Sequence, residues 1–120
     1  MEDQVLDRAL LFLGTELNDC ARLRLKKLCQ MAVSQLILRL REGKTPEELG
    51  EQFIDAAGVL ALSMYVALGG EDFSAVKIGS ITIERDRSGR SFIDDLRHMS
   101  EQLLAGCLRE QGFVFKGVRG

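Results

Sequence analysis

A single histidine, His98, serves the whole 120-residue chain. Any scheme that pairs a serine or cysteine nucleophile with an imidazole base would have to run through it. His98 sits in a helical pattern beside Met99, the setting of an ordinary surface or interface side chain. Cysteine is equally sparse. Cys20, Cys29 and Cys107 are odd in number, far apart and without a C-x-x-C, which excludes a disulfide framework and offers no zinc site. They read as reduced, partly buried packing residues. No G-x-x-x-x-G-K-[ST] or G-x-G-x-x-G precedes a helix, so Gly69-Gly70 and Gly79 are turn glycines rather than a phosphate cradle. The longest apolar run, around Ala56 to Leu68, is interrupted by Gly58, Ser63 and Tyr65 and falls short of the roughly 20 residues that span a bilayer. A basic n-region is missing too, since Glu2, Asp3 and Asp7 stand in its place, and the chain is expected to be intracellular with no membrane partner. Asp94-Asp95 is an adjacent carboxylate pair in the first turn after Ser91. Consecutive helical side chains point about 100° apart, so the pair complements the helix dipole rather than converging on a substrate. No catalytic, cofactor-binding or metal-ligating residue is expected, and no enzyme.

What is present is ordinary for a globular domain: 46% hydrophobic and 28% charged residues, enough for one core over residues 1–120 but not for two. A net charge of −2 and a pI near 5.4 argue against a dedicated nucleic-acid binder. Two local basic groups remain, Arg22, Arg24, Lys26 and Lys27 in one and Arg85, Arg87 and Arg90 in the other. Each reads as a solvated face, with the 85–90 loop as the alternative contact for phosphates or an acidic partner.

Apolar residues at three- and four-residue spacing predict four helices. Val5, Leu6, Ala9, Leu10 and Leu13 mark the first, closed by Gly14. Asn18 or Asp19 caps the second, whose stripe of Leu25, Leu28, Cys29, Ala32, Val33, Leu36, Ile37 and Leu40 runs down to Gly43. Thr45-Pro46-Glu47-Glu48 is a capping box with proline at the first helical position. The third helix follows through Leu49, Phe53, Ala57, Leu60, Ala61, Met64 and Leu68 to Gly69-Gly70, with alanines and Gly58 allowing a close neighbour. Ser91 is read as the N-cap of a fourth, with Phe92, Leu96, Met99, Leu103 and Cys107 on one face and Gly112 at its end.

One stretch, GEDFSAVKIGSITIERD at residues 70–86, departs from this pattern. Val76 and Ile78 share one parity and Ile81 and Ile83 the other, so either a two-residue II′ hairpin loop at Gly79-Ser80 or a bulge in one longer strand must absorb the slip. Phe113-Val114-Phe115 is a further short strand candidate. A two-stranded hairpin is marginal alone and leaves backbone groups unpaired at both edges, so it calls for a partner within the chain or in another copy. The fold class is therefore mainly α: a four-helix domain with a short hairpin or strand element between the third and fourth helices and a short C-terminal strand.

The segments VLDRALLFLGTELNDCARLRLKKLCQMAVSQLILRL and TPEELGEQFIDAAGVLALSMYVALGGEDFSAVKIGSITIER, with its K-x-G-x-x-x-I element, and the closing EQGFVFKGV resemble the small head–tail connector proteins of tailed bacteriophages and prophages. The resemblance covers nearly the whole chain through element order and weak motifs. It departs in the Arg85 to Arg90 loop and in the helical cysteines. It implies a virion structural protein that assembles in the bacterial cytoplasm into a ring at the virion neck, joins portal to tail or stopper, and lets DNA pass without sequence-specific contact. Val76, Ile78, Ile81 and Ile83, with Phe113 and Phe115, would then form the oligomer interface by strand addition between copies. The rival reading is a small DNA-binding or regulatory helical protein using Arg85, Arg87 and Arg90.

Overall fold

The computed structural model describes residues 1–69, 75–84 and 90–108, with Arg90 and Ser91 described for their backbone alone. Its elements in chain order are α1 (Glu2–Leu13), α2 (Asp19–Arg39), α3 (Pro46–Leu49), α4 (Glu51–Ala67), β1 (Ala75–Ile78), β2 (Ile81–Glu84) and α5 (Arg90–Leu103).

α4 is the centre. Phe53, Ala56, Ala57, Gly58, Val59, Ala61, Leu62, Ser63, Tyr65 and Val66 are all buried, which leaves little of its circumference for water. A helix apolar on every side must be surrounded. α1, α2 and α5 each pack against it, and their own apolar stripes supply Val5, Ala9, Leu25, Cys29, Leu36, Phe92 and Leu96 to the same core. Small residues on α4 set how near these neighbours come. At Gly58 an added β-carbon would lie 3.5 Å from the Ala9 amide nitrogen and 3.6 Å from the Val5 carbonyl oxygen, so the α1 backbone rests almost directly on α4. α5 is held by polar contact as well, since the buried Ser100 hydroxyl donates to the Ala56 carbonyl at 2.8 Å.

Local signals explain most of the boundaries. The Asn18 side chain accepts from the Ala21 amide at 2.8 Å, satisfying one of the orphan donors that open α2. Thr45 Oγ1 accepts from the Glu48 amide at 3.2 Å and meets the Glu48 carboxylate at 3.3 Å, the contact predicted for the capping box. Gly14 closes α1 in the left-handed conformation.

Two expectations fail. The predicted third helix is two helices, because Gly50 adopts φ 58° and ψ −126°, a conformation closed to residues with a β-carbon. The chain makes one turn after Thr45, swings at Gly50 and starts again as α4, so the four-helix reading becomes five helices among the described residues. The predicted fourth helix begins at Arg90 rather than after Ser91 and ends at Leu103 rather than at Gly112. Turns built on the Leu104 carbonyl and on Gly106 break it off, and Leu108 then forms an antiparallel bridge with Leu40. Gly112 and the Phe113–Phe115 strand candidate lie outside the described residues.

The two glycines of α3–α4 predict opposite outcomes in urea unfolding. Gly58→Ala, whose methyl reaches only ordinary contact distances, gains helix propensity and raises stability by about 0.5–1 kcal/mol. Gly50→Ala is forced into a positive φ and lowers stability by about 1–3 kcal/mol.

Candidate functional site

The hairpin resolves the change of parity between Val76–Ile78 and Ile81–Ile83. β1 and β2 are antiparallel with Val76 opposite Ile83 and Ile78 opposite Ile81, and the two-residue loop carries φ 62° at Gly79 with no positive φ at Ser80, the signature of a II′ turn. Directly opposed residues share one face of an antiparallel pair, so all four apolar side chains point the same way. β1 packs on α1 and β2 on α5. Val76, Ile78 and Ile83 are consequently buried in the protomer's own core, whereas Ile81, beside the turn, is 47% exposed. Three of the side chains expected at a copy-to-copy interface thus have a place inside the subunit. What the hairpin offers outward is Ile81 and backbone: in a two-residue loop the pairs alternate so that Ala75 and Lys77 on one edge, and Thr82 and Glu84 on the other, turn their amides and carbonyls away from the partner strand. Among the described residues no backbone hydrogen bond from outside the hairpin reaches either edge.

A second surface was not foreseen. α2, the C-terminal half of α4 and α5 enclose an open groove of about 540 Å³ whose walls include Leu28, Met31 and Leu36 from α2, Leu60 and Met64 from α4, and Leu68 just after it. Met31 is 52% exposed and Leu68 75% exposed. At one end Arg39 pairs with Glu101 at 3.0 Å, while the buried Arg39 Nε has no hydrogen-bond partner among the described residues. The signal in the sequence was present but off the core stripe: Met31, a large apolar residue of α2 outside the predicted stripe, is half exposed on the groove wall.

The charged groups sort differently. The Arg8 guanidinium reaches from α1 to Glu51 and Asp55 on α4; the Glu51 hydrogen bond foremost, with Asp55, holds its pKa above the ordinary value against the opposing effect of burial. This is a structural clamp. Arg22, Arg24 and Lys27 are exposed on the first turns of α2, Lys26 lies 3.6 Å from Asp3, and Arg24 reaches the Cys20 sulfur at 3.8 Å. Arg85 and Arg87, like Phe113 and Phe115, lie outside the described residues; Arg90 opens α5, its side chain undescribed. His98, Asp94 and Asp95 are exposed on α5. Cys20 is exposed rather than partly buried, as the opening residues of α2 face solvent, while Cys29 is buried and Cys107 intermediate. Among the described residues no group of three or more His, Cys, Asp or Glu is placed to hold a metal ion, and no helix is long and apolar enough to cross a membrane.

No family model, curated protein or solved structure matches this chain.

Burial separates the hairpin residues energetically. Ile78→Ala removes core contacts and should lower unfolding free energy by about 2–4 kcal/mol, whereas exposed Ile81→Ala should change it by under about 0.5 kcal/mol; chemical denaturation of the two variants reads the difference. Burial also pushes the Cys29 thiol up to about 12 from the ordinary value of 9.0. The folded chain therefore keeps Cys29 neutral where the unfolded chain ionises it, so its contribution is intact below about pH 9 and is lost as pH climbs from 9 toward 12. The alkaline fall in stability should be shallower in Cys29→Ala, by up to about 1.4 kcal/mol per pH unit.

Proposed function

We propose that this chain is a structural assembly protein without enzymatic activity, one whose copies associate side by side into a ring of the head–tail connector kind, between a portal and a tail or stopper. The resemblance to connector proteins in element order supplies the biological setting. The observation that carries the assembly reading is the hairpin: two four-residue strands with no third strand beside them among the described residues. Backbone donors and acceptors in that position are templates for another strand. Strand addition uses main-chain hydrogen bonds for affinity and needs few exposed apolar side chains, which suits a hairpin whose own apolar face is already spent on α1 and α5. It also suits a modular ring. Each copy presents one edge to the next, and a head-to-tail contact of that type closes when the rotation per copy allows it.

The exposed apolar residues add to this reading. Leu23 and Leu38 on α2 together with Ile81 on β2 are large side chains standing in water on an isolated protomer, as surfaces covered on assembly do.

Proline placed at the outward edge tests the mode of association. The Thr82 amide points away from β1, so Thr82→Pro removes a donor that the hairpin itself does not use while leaving its internal ladder in place. Sedimentation velocity and native mass spectrometry over a range of protein concentrations should show concentration-dependent assembly of the parent chain and its loss in Thr82→Pro, with unchanged far-ultraviolet circular dichroism. A parent chain that stays monomeric at high concentration would sink the reading, as would a proline variant that assembles as well as the parent.

A further inference from the structure

We propose that the seam between α1 and α2 docks a second copy of this chain, related by a two-fold axis along the seam, so that the acidic row of each α1 faces the basic row of the other copy's α2.

The charges are sorted by helix. α1 carries Glu2, Asp3 and Asp7, and its single cation, Arg8, is turned to Glu51 and Asp55 on α4. The first turns of α2 carry Arg22, Arg24, Lys26 and Lys27 against Asp19 alone. Spacings of three and four put Asp3, Asp7 and Leu11 in one row, and Leu23 and Lys27, flanked by Arg24, in another. All six are exposed, Leu11 at 70% and Leu23 at 63%.

The two rows border one surface. The chain reverses between Gly14 and Asn18, so α1 and α2 lie antiparallel with Asp3 at 3.6 Å from Lys26. Asp7 shares with Arg22, Leu23 and Lys26 the rim of an open depression of about 650 Å³. Among the described residues one ion pair crosses the seam, Asp3 with Lys26, and Asp3 remains 85% exposed. Most of the charge in both rows therefore faces water.

Adjacent strips of opposite charge are self-complementary in one orientation. A half turn about an axis along the seam lays each α1 on the other copy's α2 and keeps every residue at its own height, and the contacts repeat on both sides of the axis. The register of Asp3 with Lys26 brings Lys27 of the second copy level with Asp3, and Arg24 between Asp3 and Asp7. A half turn about an axis across the seam would set like charges together. Leu11 and Leu23 flank the charged pairs and leave water with them. Exposed charges supply the contact, so it is a weak pairing that salt screens. Strand addition at the hairpin rests on main-chain hydrogen bonds, so the two contacts separate on ionic strength and neither depends on the other.

Cross-linking and charge reversal at low ionic strength test the arrangement. When ordinary and heavy-isotope parent chains are mixed and treated with a carbodiimide, Asp3 or Asp7 of one isotope should become joined to Lys27 of the other, and the yield should fall as salt is raised. A chain with Asp3→Lys and Asp7→Lys has two basic rows, and one with Arg24→Glu and Lys27→Glu has two acidic rows; these positions are exposed, so circular dichroism should match the parent. Native mass spectrometry of an equal mixture of the two variants should show mixed pairs above the statistical proportion, whereas strand addition, indifferent to these side chains, gives the statistical one. An Asp94→Lys, Asp95→Lys chain carries the same net charge as the first variant but holds its new cations on α5, and with the acidic variant it should give no excess. Absence of copy-to-copy cross-links in the parent, a statistical mixture of the two variants, or an equal excess with the α5 variant would overturn the proposal.

Discussion

The structure depends on the covering of α4. A helix with Phe53, Val59, Leu62 and Tyr65 on different sides, and with small residues between them, has little face to give to water. Burial of each large side chain contributes about 1.5–3 kcal/mol, and the only way to collect those contributions is to place helices around it. α1, α2 and α5 do so, and their caps, turns and ion pairs arrange the approach. The Arg8 clamp onto Glu51 and Asp55 and the Ser100 bond to Ala56 each tie a surrounding helix to the central one at a defined height. Even the hairpin belongs to this layer, closing the space between α1 and α5 with Val76, Ile78 and Ile83.

Much of this was legible in the residues. The stripes of α1 and α2, the Asn18 cap, the Thr45-Pro46 start and the II′ turn at Gly79-Ser80 follow from spacing and from residues with one dominant local role. The errors came from glycines whose weight cannot be judged from position alone. Gly50 falls inside an unbroken apolar period, and only its backbone angles reveal that the helix is cut there. Gly106 lies within one turn of Cys107, a residue that fits the stripe of α5, so the period extends past the true end of the helix. Burial around the hairpin was the other miss. A β-branched segment among helices reads equally well as a sticky edge or as a lid on the core, and the choice between them is made by α1 and α5, distant in sequence.

The groove was hidden for a related reason. Met64 and Leu68 continue the stripe of α4, and nothing in the stripe says where the covering helices stop. Arg39 and Glu101 are far apart in sequence, so their pairing could not be foreseen. The two surfaces that remain are different in kind. The hairpin edges present main chain, whereas the groove presents side chains.

The bridge between Leu40 and Leu108 bears on how the chain is made. α5 shields α4 from the far end of the sequence, so during synthesis the central helix leaves the ribosome well before its last neighbour does. For that interval the side of α4 meant for Phe92 and Leu96 is bare, and neighbouring nascent chains on one message carry the same bare strip close together. Sequential folding from the first residue onward therefore exposes these partly built subunits to mispairing at a stage the finished fold conceals.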